Sequence, residues 1–429
     1  MKILLVQAYL GTQEPPIFPL GLSYLATAVK GHNVKVFDPN VVENPPSEFT
    51  NILLRFRPEI VGISLRNIDS TNKRKVVFYY RFFKEMISLV EKHLNGHYRL
   101  VVGGPGFSMF ANEIMRDVPA IEYGVFVEGE NAFRELIENL DQPEKVKGIF
   151  YRKNRKVMFT GLREHSDLDT LMPPDRTIIS MAPYINIPDA IGVETKRGCI
   201  FSCSYCVYGF LNGKKYRLIN PGRVVNDIEF LYDELGIRHF MFIDSVFNNP
   251  LPHAEAICRE IIRRSIDVRW SAWFHEKFMT EEFVRLAKEA GCNKVMLSPD
   301  GIDPHTLRSL GKSQTKQDIL RCFNMLKSNI GEIEVCYNFF KNPPKQNFVG
   351  FLSLLRFYVR AKFQLKSRVH FEFNSLRIEP HTELCEMALK EGIIDVNDPL
   401  LYPKYYTNTD TWYIDKAFNV WLRVKESLS

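Results

Sequence analysis

The sequence predicts an α/β protein built from two successive alternating halves. The first is a doubly wound parallel sheet over residues 1–140; the second is an incomplete barrel of six βα units over residues 189–380. Three observations predict this. Strand-like runs in the first half are apolar along their whole length and are separated by helical segments, as in parallel strands covered on both faces. The alternation restarts after a mixed, proline-containing stretch. The chain has 429 residues, 45% of them hydrophobic and 25% charged, enough apolar side chain to fill two or three cores.

In order, KILLVQA (2–8) is a continuous apolar strand, and LGLSYLATAVKG (20–31) has helical periodicity and stops at glycine. VKVFD (34–38), EIVGIS (59–64) and RLVVGG (99–104) are further strands, while MISLVEKHL and NAFRELIENL are helices. Ligands of doubly wound sheets sit at the carboxyl ends of the strands. Here those ends carry Tyr9 to Thr12, Asp38-Pro39-Asn40, Arg66-Asn67 and Gly103-Gly104-Pro105-Gly106. Residues 141–188, including DLDTLMPPDR, are expected to form a linker with a small hairpin. The second series begins with the strand IGVETKRG and continues with HFMFID (239–244), VRWSAWF (268–274), KVMLSPD (294–300), EIEVCYNFF (332–340) and VHFEFNSLRI (369–378). Between them lie helical segments such as VVNDIEFLYDELG, AEAICREIIRRS, EEFVRLAKEAG and QNFVGFLSLLRFYVRA. Catalytic groups of such a barrel lie at the strand carboxyl ends. An aromatic-rich extension, 381–429, ends in a helix; its Tyr402, Tyr405, Tyr406, Trp412 and Tyr413 either pack or cover an aromatic or lipid-like molecule.

No apolar run reaches the ~20 residues of a membrane span. The first residues, MKILLVQAYL, lack the features of a signal peptide, so a cytoplasmic protein is expected. Net charge is +6, but the basic residues are scattered; KNRK (153–156) and GKKY (213–216) read as solvated loops, and no concentrated patch for nucleic acid is expected. Cys258, Cys292, Cys322, Cys336 and Cys385 stand alone and read as buried small hydrophobes.

RGCIFSCSYCVYGF (197–210) is different: Cys199, Cys203 and Cys206 form C-x3-C-x2-C directly after a strand. Thiolates suit zinc or iron–sulfur clusters. Structural zinc normally takes four protein ligands, and no Cys or His follows closely enough to complete a finger. A 4Fe–4S cubane held by three cysteines keeps one iron open for a substrate or cofactor. The alternatives are a zinc site with a distant fourth ligand and three unrelated buried cysteines. LGKS (310–313) is not a phosphate loop, because the position five before Gly311 is Thr306 rather than glycine. Lys312 reads as a solvated helix-start lysine or a contact to a nucleotide carboxylate.

With Tyr205 before its last cysteine, the motif resembles the radical S-adenosylmethionine superfamily. TKRGC resembles that family's entry strand. MLSPDGIDPHTLRSLGK (296–312) resembles its strand-four segment, and LRIEPHTELCEMALKEGII (376–394) the segment after strand six, so the likeness covers about 190–395. The resemblance implies that a 4Fe–4S cluster on Cys199, Cys203 and Cys206 binds S-adenosylmethionine and cleaves it to a 5′-deoxyadenosyl radical. It also assigns Ser298 and Asp300 to cofactor binding. The glycine-glycine-glutamate element after strand two is replaced by DSVFNN (244–249); Asp244 there either assists the methionine amine or caps a strand end.

The first half resembles the cobalamin-dependent branch of that family through PPIFPLGLSYLATAV (15–29), VGISLRNID (61–69), VVGGPGFS (101–108) and VEGE (127–130). The implied fold is a flavodoxin-like (Rossmann-type) cobalamin-binding domain followed by a partial (β/α)6 TIM barrel. Corrin contacts are implied for Arg66, Asn67, Gly103, Gly104, Pro105, Gly106 and Glu128, the glycines letting backbone approach the ring. The first half lacks Asp-x-His-x-x-Gly, so no histidine lower ligand for cobalt is expected, and His305 reads as a helix-start residue. Arg66 has no lone pair to coordinate a metal and would discourage water beneath cobalt; a phosphate-tail or surface contact is the other reading. SLRNID is most similar to tryptophan C-methylating members.

The resemblance implies methylation of an unactivated or aromatic carbon of a small molecule or peptide. Electrons would come from a donor such as flavodoxin or ferredoxin. A polar variant in the family needs a base, for which Tyr337, Glu372 and Glu379 are the barrel candidates. A cobalamin-dependent cyclase or rearrangement enzyme, and a non-enzymatic corrinoid sensor or carrier, are the alternatives; a carrier has no use for an open iron.

Overall fold

The computed structural model describes residues 1–329, 331 and 333–427, with 422–427 described by backbone alone. Glu332, expected to open a strand, and residues 428–429 of the extension lie outside the described residues. The chain divides into two compact units: Met1–Ser70 with Lys75–Gly192, and Thr71–Arg74 with Val193–Ser429.

The first unit is a seven-stranded sheet: β1 (Lys2–Gln7), β2 (Asn33–Phe37), β3 (Ile60–Ser64), β4 (Arg99–Gly103), β5 (Tyr123–Val125), β6 (Ile149–Lys153) and β7 (Lys156–Phe159), in the order β2-β1-β3-β4-β5-β6-β7. The first five run parallel, and the order 2-1-3-4-5 is that of the flavodoxin-like sheet, whose switch point lies between β1 and β3. Every residue of β1 after Lys2 is buried, as a central strand covered on both faces requires. Helices Leu20–Ala28 and Glu130–Glu138 close one face, with Leu22, Ala26, Phe133 and Leu136 in one core with Ile3, Leu5 and Val101. β5 has only three residues, too few to stand out in the sequence. Helix Pro45–Phe56 also went unforeseen; its Asn44 cap accepts a hydrogen bond from the Ser47 amide.

Residues 141–188, expected as a linker, are folded into this unit. β6 and β7 form the foreseen hairpin, but they extend the sheet antiparallel from β5. Beyond them the Tyr184 hydroxyl donates to Asp38 Oδ2 at 2.7 Å, and the Phe18 amide to the Ala190 carbonyl at 2.9 Å. Ile149, Phe150 and Tyr151 of β6 and the Tyr184 ring are buried, which ties the segment to this unit.

In the second unit, β8 (Gly192–Val193), β11 (His239–Phe242), β12 (Arg269–Phe274), β13 (Cys292–Asp300), β14 (Glu334–Phe340) and β15 (Val369–Asn374) form one open sheet in the order β15-β14-β13-β12-β11-β8. β11 to β15 pair in parallel, giving the expected partial barrel. β9 (Lys196–Arg197) and β10 (Arg217–Leu218) form a separate antiparallel ribbon. The run expected as one strand, IGVETKRG, is thus split: Thr195, between β8 and β9, is turned aside to bond Asp244. Along β14, Tyr337 and Phe339 pack against Phe357 of helix Phe348–Leu365, at 5.1 and 6.0 Å between ring centroids. Side chains alternate across a strand, so Asn338 and Phe340 take the opposite face.

Candidate active site

The cysteine loop starts where β9 ends. Gly198 has φ +94°, and a Cβ there would lie 2.0 Å from the Lys215 carbonyl oxygen, so only glycine makes this turn. The Cys199 amide donates to the Gly213 carbonyl at 3.0 Å and the Cys206 amide to the Cys203 carbonyl at 3.1 Å. Segment 309–311 clamps the loop from outside: the Ser204 amide donates to the Leu310 carbonyl at 3.0 Å, and the Ser204 hydroxyl to the Ser309 carbonyl at 3.0 Å. The Leu384 amide donates to the Ser204 carbonyl at 2.7 Å. Cys199, Cys203 and Cys206 line one pocket with Ser298 and Lys312, at the carboxyl ends of barrel strands as the fold requires.

Burial pushes the Cys203 thiol up, and pushes Cys206 up to about 12; the neighbouring cysteines add to both shifts. Three thiolates lining one pocket need cationic charge to exist together. Two polar groups in the same pocket are unmatched among the described residues: Glu276 Oε1, on a side chain 1% exposed, and both amide atoms of Gln314, 3% exposed. Burial raises the Glu276 carboxyl to about 7, although Lys312 pulls the other way. Among the described residues no three His, Cys, Asp or Glu side chains converge as ligands of a single ion do. Thiolates of a cluster each hold a different iron, so three cysteines lining one pocket suit a cluster. The residues present therefore fit an iron–sulfur group with a polar ligand beside it.

Around the thiols runs a charged network. Lys312 Nζ donates to Asp300 Oδ2 at 2.6 Å and to the Ser298 carbonyl at 2.7 Å, while the Tyr205 hydroxyl also donates to Asp300 Oδ2. Burial alone would lower Lys312; Asp300 and Cys203 outweigh it and hold the ammonium charged. Lys312 is thus not the solvated lysine expected from the sequence: its side chain is 8% exposed, drawn inward by Asp300. His275 stacks on Phe201 at 4.6 Å and shares a 2.8 Å hydrogen bond between Nε2 and Ser313 Oγ; burial, with Lys312 and Lys277, pushes it down to about 3 and keeps it neutral.

Asp244 also lines the pocket, but its carboxylate is already engaged. Oδ1 accepts from the Thr195 amide at 2.9 Å, Oδ2 from the Thr195 hydroxyl, and Lys196 Nζ lies 3.4 Å away. It braces β11 against the entry strand, which is its strand-end reading. The three base candidates do not come together, and none lines the pocket. Tyr337 is fully buried on the helix-facing side of β14, its hydroxyl unmatched among the described residues; Glu372 is exposed on β15; Glu379 is paired with Arg377 Nη1 at 2.5 Å. The residues the sequence left unmarked are Glu276 and Gln314. Glu276 lies two residues after β12, and its strand-end position was the one signal that marked it. His305 starts the helix Pro304–Ser309, capped by Asp303, as expected.

In the first unit the expected corrin contacts gather at the carboxyl ends of β3 and β4. The Leu65 amide donates to the Gly103 carbonyl at 2.8 Å and the Gly106 amide to the Leu65 carbonyl at 2.9 Å. Cβ atoms on Gly104 and Gly106 would lie 2.7 and 2.9 Å from the Leu65 carbonyl oxygen. These two glycines therefore serve the close approach of the chain's own loops. Asn67 and Pro105 are exposed, and Arg66, Gly103 and Gly104 are half-buried, so backbone without bulky side chains is accessible at the β4 end, as a large ring ligand needs. Arg66 is in electrostatic reach of Tyr79. Glu128 sits on the loop after β5, accepting from the Ser166 amide at 3.1 Å with His165 Nδ1 at 3.5 Å.

Comparison with known proteins agrees with both halves. The family described as "B12 binding domain" matches residues 6–137, and "Radical SAM superfamily" matches 193–355. An uncharacterized methyltransferase of Pyrococcus horikoshii is 27% identical over 434 residues, 95% of this chain and 89% of that protein. Tryptophan 2-C-methyltransferase of Streptomyces laurentii is 23% identical over 68% of this chain, which spans 59% of that relative. Among solved structures, the radical S-adenosylmethionine methyltransferase TsrM from Kitasatospora setae, with tryptophan substrate and a S-adenosylmethionine analogue bound, superposes with a TM-score of 0.79 at 22% identity, covering 91% of this chain and 76% of that one.

Proposed function

The chain belongs to the cobalamin-binding radical S-adenosylmethionine enzymes, and on that premise we propose that it methylates an unactivated or aromatic carbon of a small molecule or peptide. The observation that carries the reading is the pocket holding Cys199, Cys203 and Cys206 beside the unmatched Glu276 and Gln314. When bound, the cluster supplies the electron for cleaving S-adenosylmethionine, and cobalamin carries the methyl group. The protein's own part is to hold and orient. The three thiolates fix the cluster. Lys312, kept charged by Asp300, sets a positive potential beside Cys203. Glu276, near 7, holds or releases a proton at Oε1 according to what the pocket binds. Gln314 offers the N–H donors of Nε2 and the Oε1 acceptor to a polar ligand. In the first unit we assign the β3 end to the corrin, with Arg66 giving a permanent charge and no lone pair to cobalt.

The setting is the cytoplasm, with a flavodoxin or ferredoxin as electron donor; no helix among the described residues is long and apolar enough to cross a membrane. The test is anaerobic reconstitution with iron, sulfide and hydroxocobalamin, followed by S-adenosylmethionine labelled in its methyl group. The expected outcome is a cluster absorbance, S-adenosylmethionine consumption and a product heavier by one labelled methyl. Cys203→Ala should abolish iron retention and consumption together. A product with no added methyl would establish cyclisation or rearrangement instead, and a chain holding a lone zinc ion would end the reading. Arg66→Ala should alter the spectrum of bound cobalamin; an unchanged spectrum removes Arg66 from the cobalt.

A further inference from the structure

We infer that the open pocket lined by His305, Arg308, Ser309, Lys345 and Asn347 is the docking surface for a small acidic one-electron carrier protein, whose electron reaches the cluster through Ser309 and the cysteine loop. The inference rests on the cluster proposed above and adds to it the place where the carrier binds.

Basic residues that are scattered in the sequence meet here. The Ser309 hydroxyl donates to the Pro344 carbonyl at 2.7 Å, and the Thr306 hydroxyl to Gln346 Oε1 at 3.2 Å. These bonds tie helix Pro304–Ser309 to the loop before helix Phe348–Leu365, so that Arg308 and Lys345 line one pocket. Both side chains are exposed. Neither meets a carboxylate among the described residues; Arg308 Nη2 lies instead 3.2 Å from His305 Nδ1. Asp303, the nearest carboxylate in the sequence, is buried as the cap of its helix. Two cations without counter-charge on an open surface attract an acidic partner, and the chain's net charge of +6 adds to that field. Phe348 and Val349, directly after Asn347, are 53% and 72% exposed and offer apolar contact beside the charges.

What lies behind the pocket identifies the partner. The Ser309 carbonyl accepts from the Ser204 hydroxyl at 3.0 Å, and the Leu310 carbonyl from the Ser204 amide at 3.0 Å. Ser204 stands between Cys203 and Cys206, so one residue separates the cationic pocket from the cysteine loop. Electron tunnelling falls steeply with distance, and a carrier docked here has a short route of covalent and hydrogen bonds. The carrier gives up one electron and the cluster takes it, with no bond made or broken at the patch. No lining residue is shared with the pocket of Glu276 and Gln314, so the carrier can dock while that pocket is occupied. The charges here stand on exposed side chains, which suits a protein surface better than a small anion held by buried donors.

The experiment uses the full chain, reconstituted anaerobically with iron and sulfide, with Arg308→Glu and Lys345→Glu combined beside the wild type. Iron and sulfide are counted first. Fully reduced flavodoxin is then mixed with each at low salt, and the growth of its semiquinone absorbance gives the second-order rate. The double variant should be reduced about tenfold more slowly, the scale of lost steering, and the gap should close at high salt as screening removes the attraction. Photoreduced deazariboflavin, small and uncharged, should reduce both clusters at the same rate. Equal rates with flavodoxin overturn the inference. An equal loss with both reductants also overturns it, and assigns the patch to an anion that serves the site itself. If the double variant holds no iron, the wild type decides through carbodiimide coupling of flavodoxin carboxylates to lysines. A cross-link at Lys345 supports the docking surface, and cross-links only elsewhere overturn it. A wild-type cluster reduced by deazariboflavin but not by flavodoxin overturns the inference and leaves the cluster reading intact. A wild type without iron and sulfide overturns both.

Discussion

Glu276 is the residue at which this site conflicts most with folding. A carboxyl raised by burial from its ordinary 4.5 to about 7 is more stable neutral than charged in the folded chain. Its favourable contribution is therefore complete below about 4.5 and is lost as pH rises through 7. The displacement corresponds to at most about 3 kcal/mol. A glutamine of the same shape has no charge to bury. The cluster-free Glu276→Gln chain should resist urea better than the wild type at pH 8, by up to about 3 kcal/mol, with the advantage closing toward pH 5. A gap that does not change with pH would show that Glu276 is not held as a neutral acid. Such local cost without local compensation is typical of a group kept for a ligand.

At the scale of elements, the site depends on one loop clamping another. Gly311 has φ +64°, and a Cβ there would lie 2.3 Å from the Ser202 carbonyl oxygen, inside the cysteine loop. Gly392 has nearly the same φ, +67°, but nothing within 4 Å of its Cβ position. Alanine costs about 1–3 kcal/mol of backbone strain at either position, but only at Gly311 must the cysteine loop move. Gly311→Ala should weaken iron retention about tenfold or more, the scale of lost support around a metal site. Gly392→Ala should leave iron per chain unchanged; equal losses in both variants would refute the clamp. This dependence also marks what the sequence could disclose. Strands such as β1, β3 and β4 were legible because their apolar runs are nearly continuous, whereas β5, with three residues, carried too little pattern. The cysteines were legible because their spacing is local. Glu276 and Gln314 arrive from two separate segments, and a polar side chain in a loop looks solvated until its neighbours are known. Tyr337 misled for a related reason: which face of β14 it takes is settled only by its packing against Phe357.

At the scale of the whole molecule, the two cofactors belong to two compact units, 1–70 with 75–192 and 193 onward with 71–74. A ligand that binds only the folded state stabilises it by an amount set by concentration, about 2.7 kcal/mol at a hundred times its dissociation constant. Amides that must open against that ligand exchange about a hundredfold more slowly. Hydrogen exchange on four samples — bare chain, cobalamin alone, cluster alone, both — therefore reads out the assignment of each cofactor. Cobalamin alone should slow exchange at the carboxyl ends of β1, β3 and β4, in peptides around Ala8, Leu65 and Gly104. The cluster alone should slow it in the cysteine loop from Gly198 to Cys206 and in its clamp at Leu310 and Gly311, whose carbonyl and packing hold that loop. A crossed pattern, with cobalamin protecting the cysteine loop and leaving the β3 and β4 ends untouched, would refute the corrin assignment. Protection by the cluster that bypasses the loop would refute the thiolate trio. The strand-end amides decide the matter, because in a doubly wound sheet they are the backbone groups a ligand meets first.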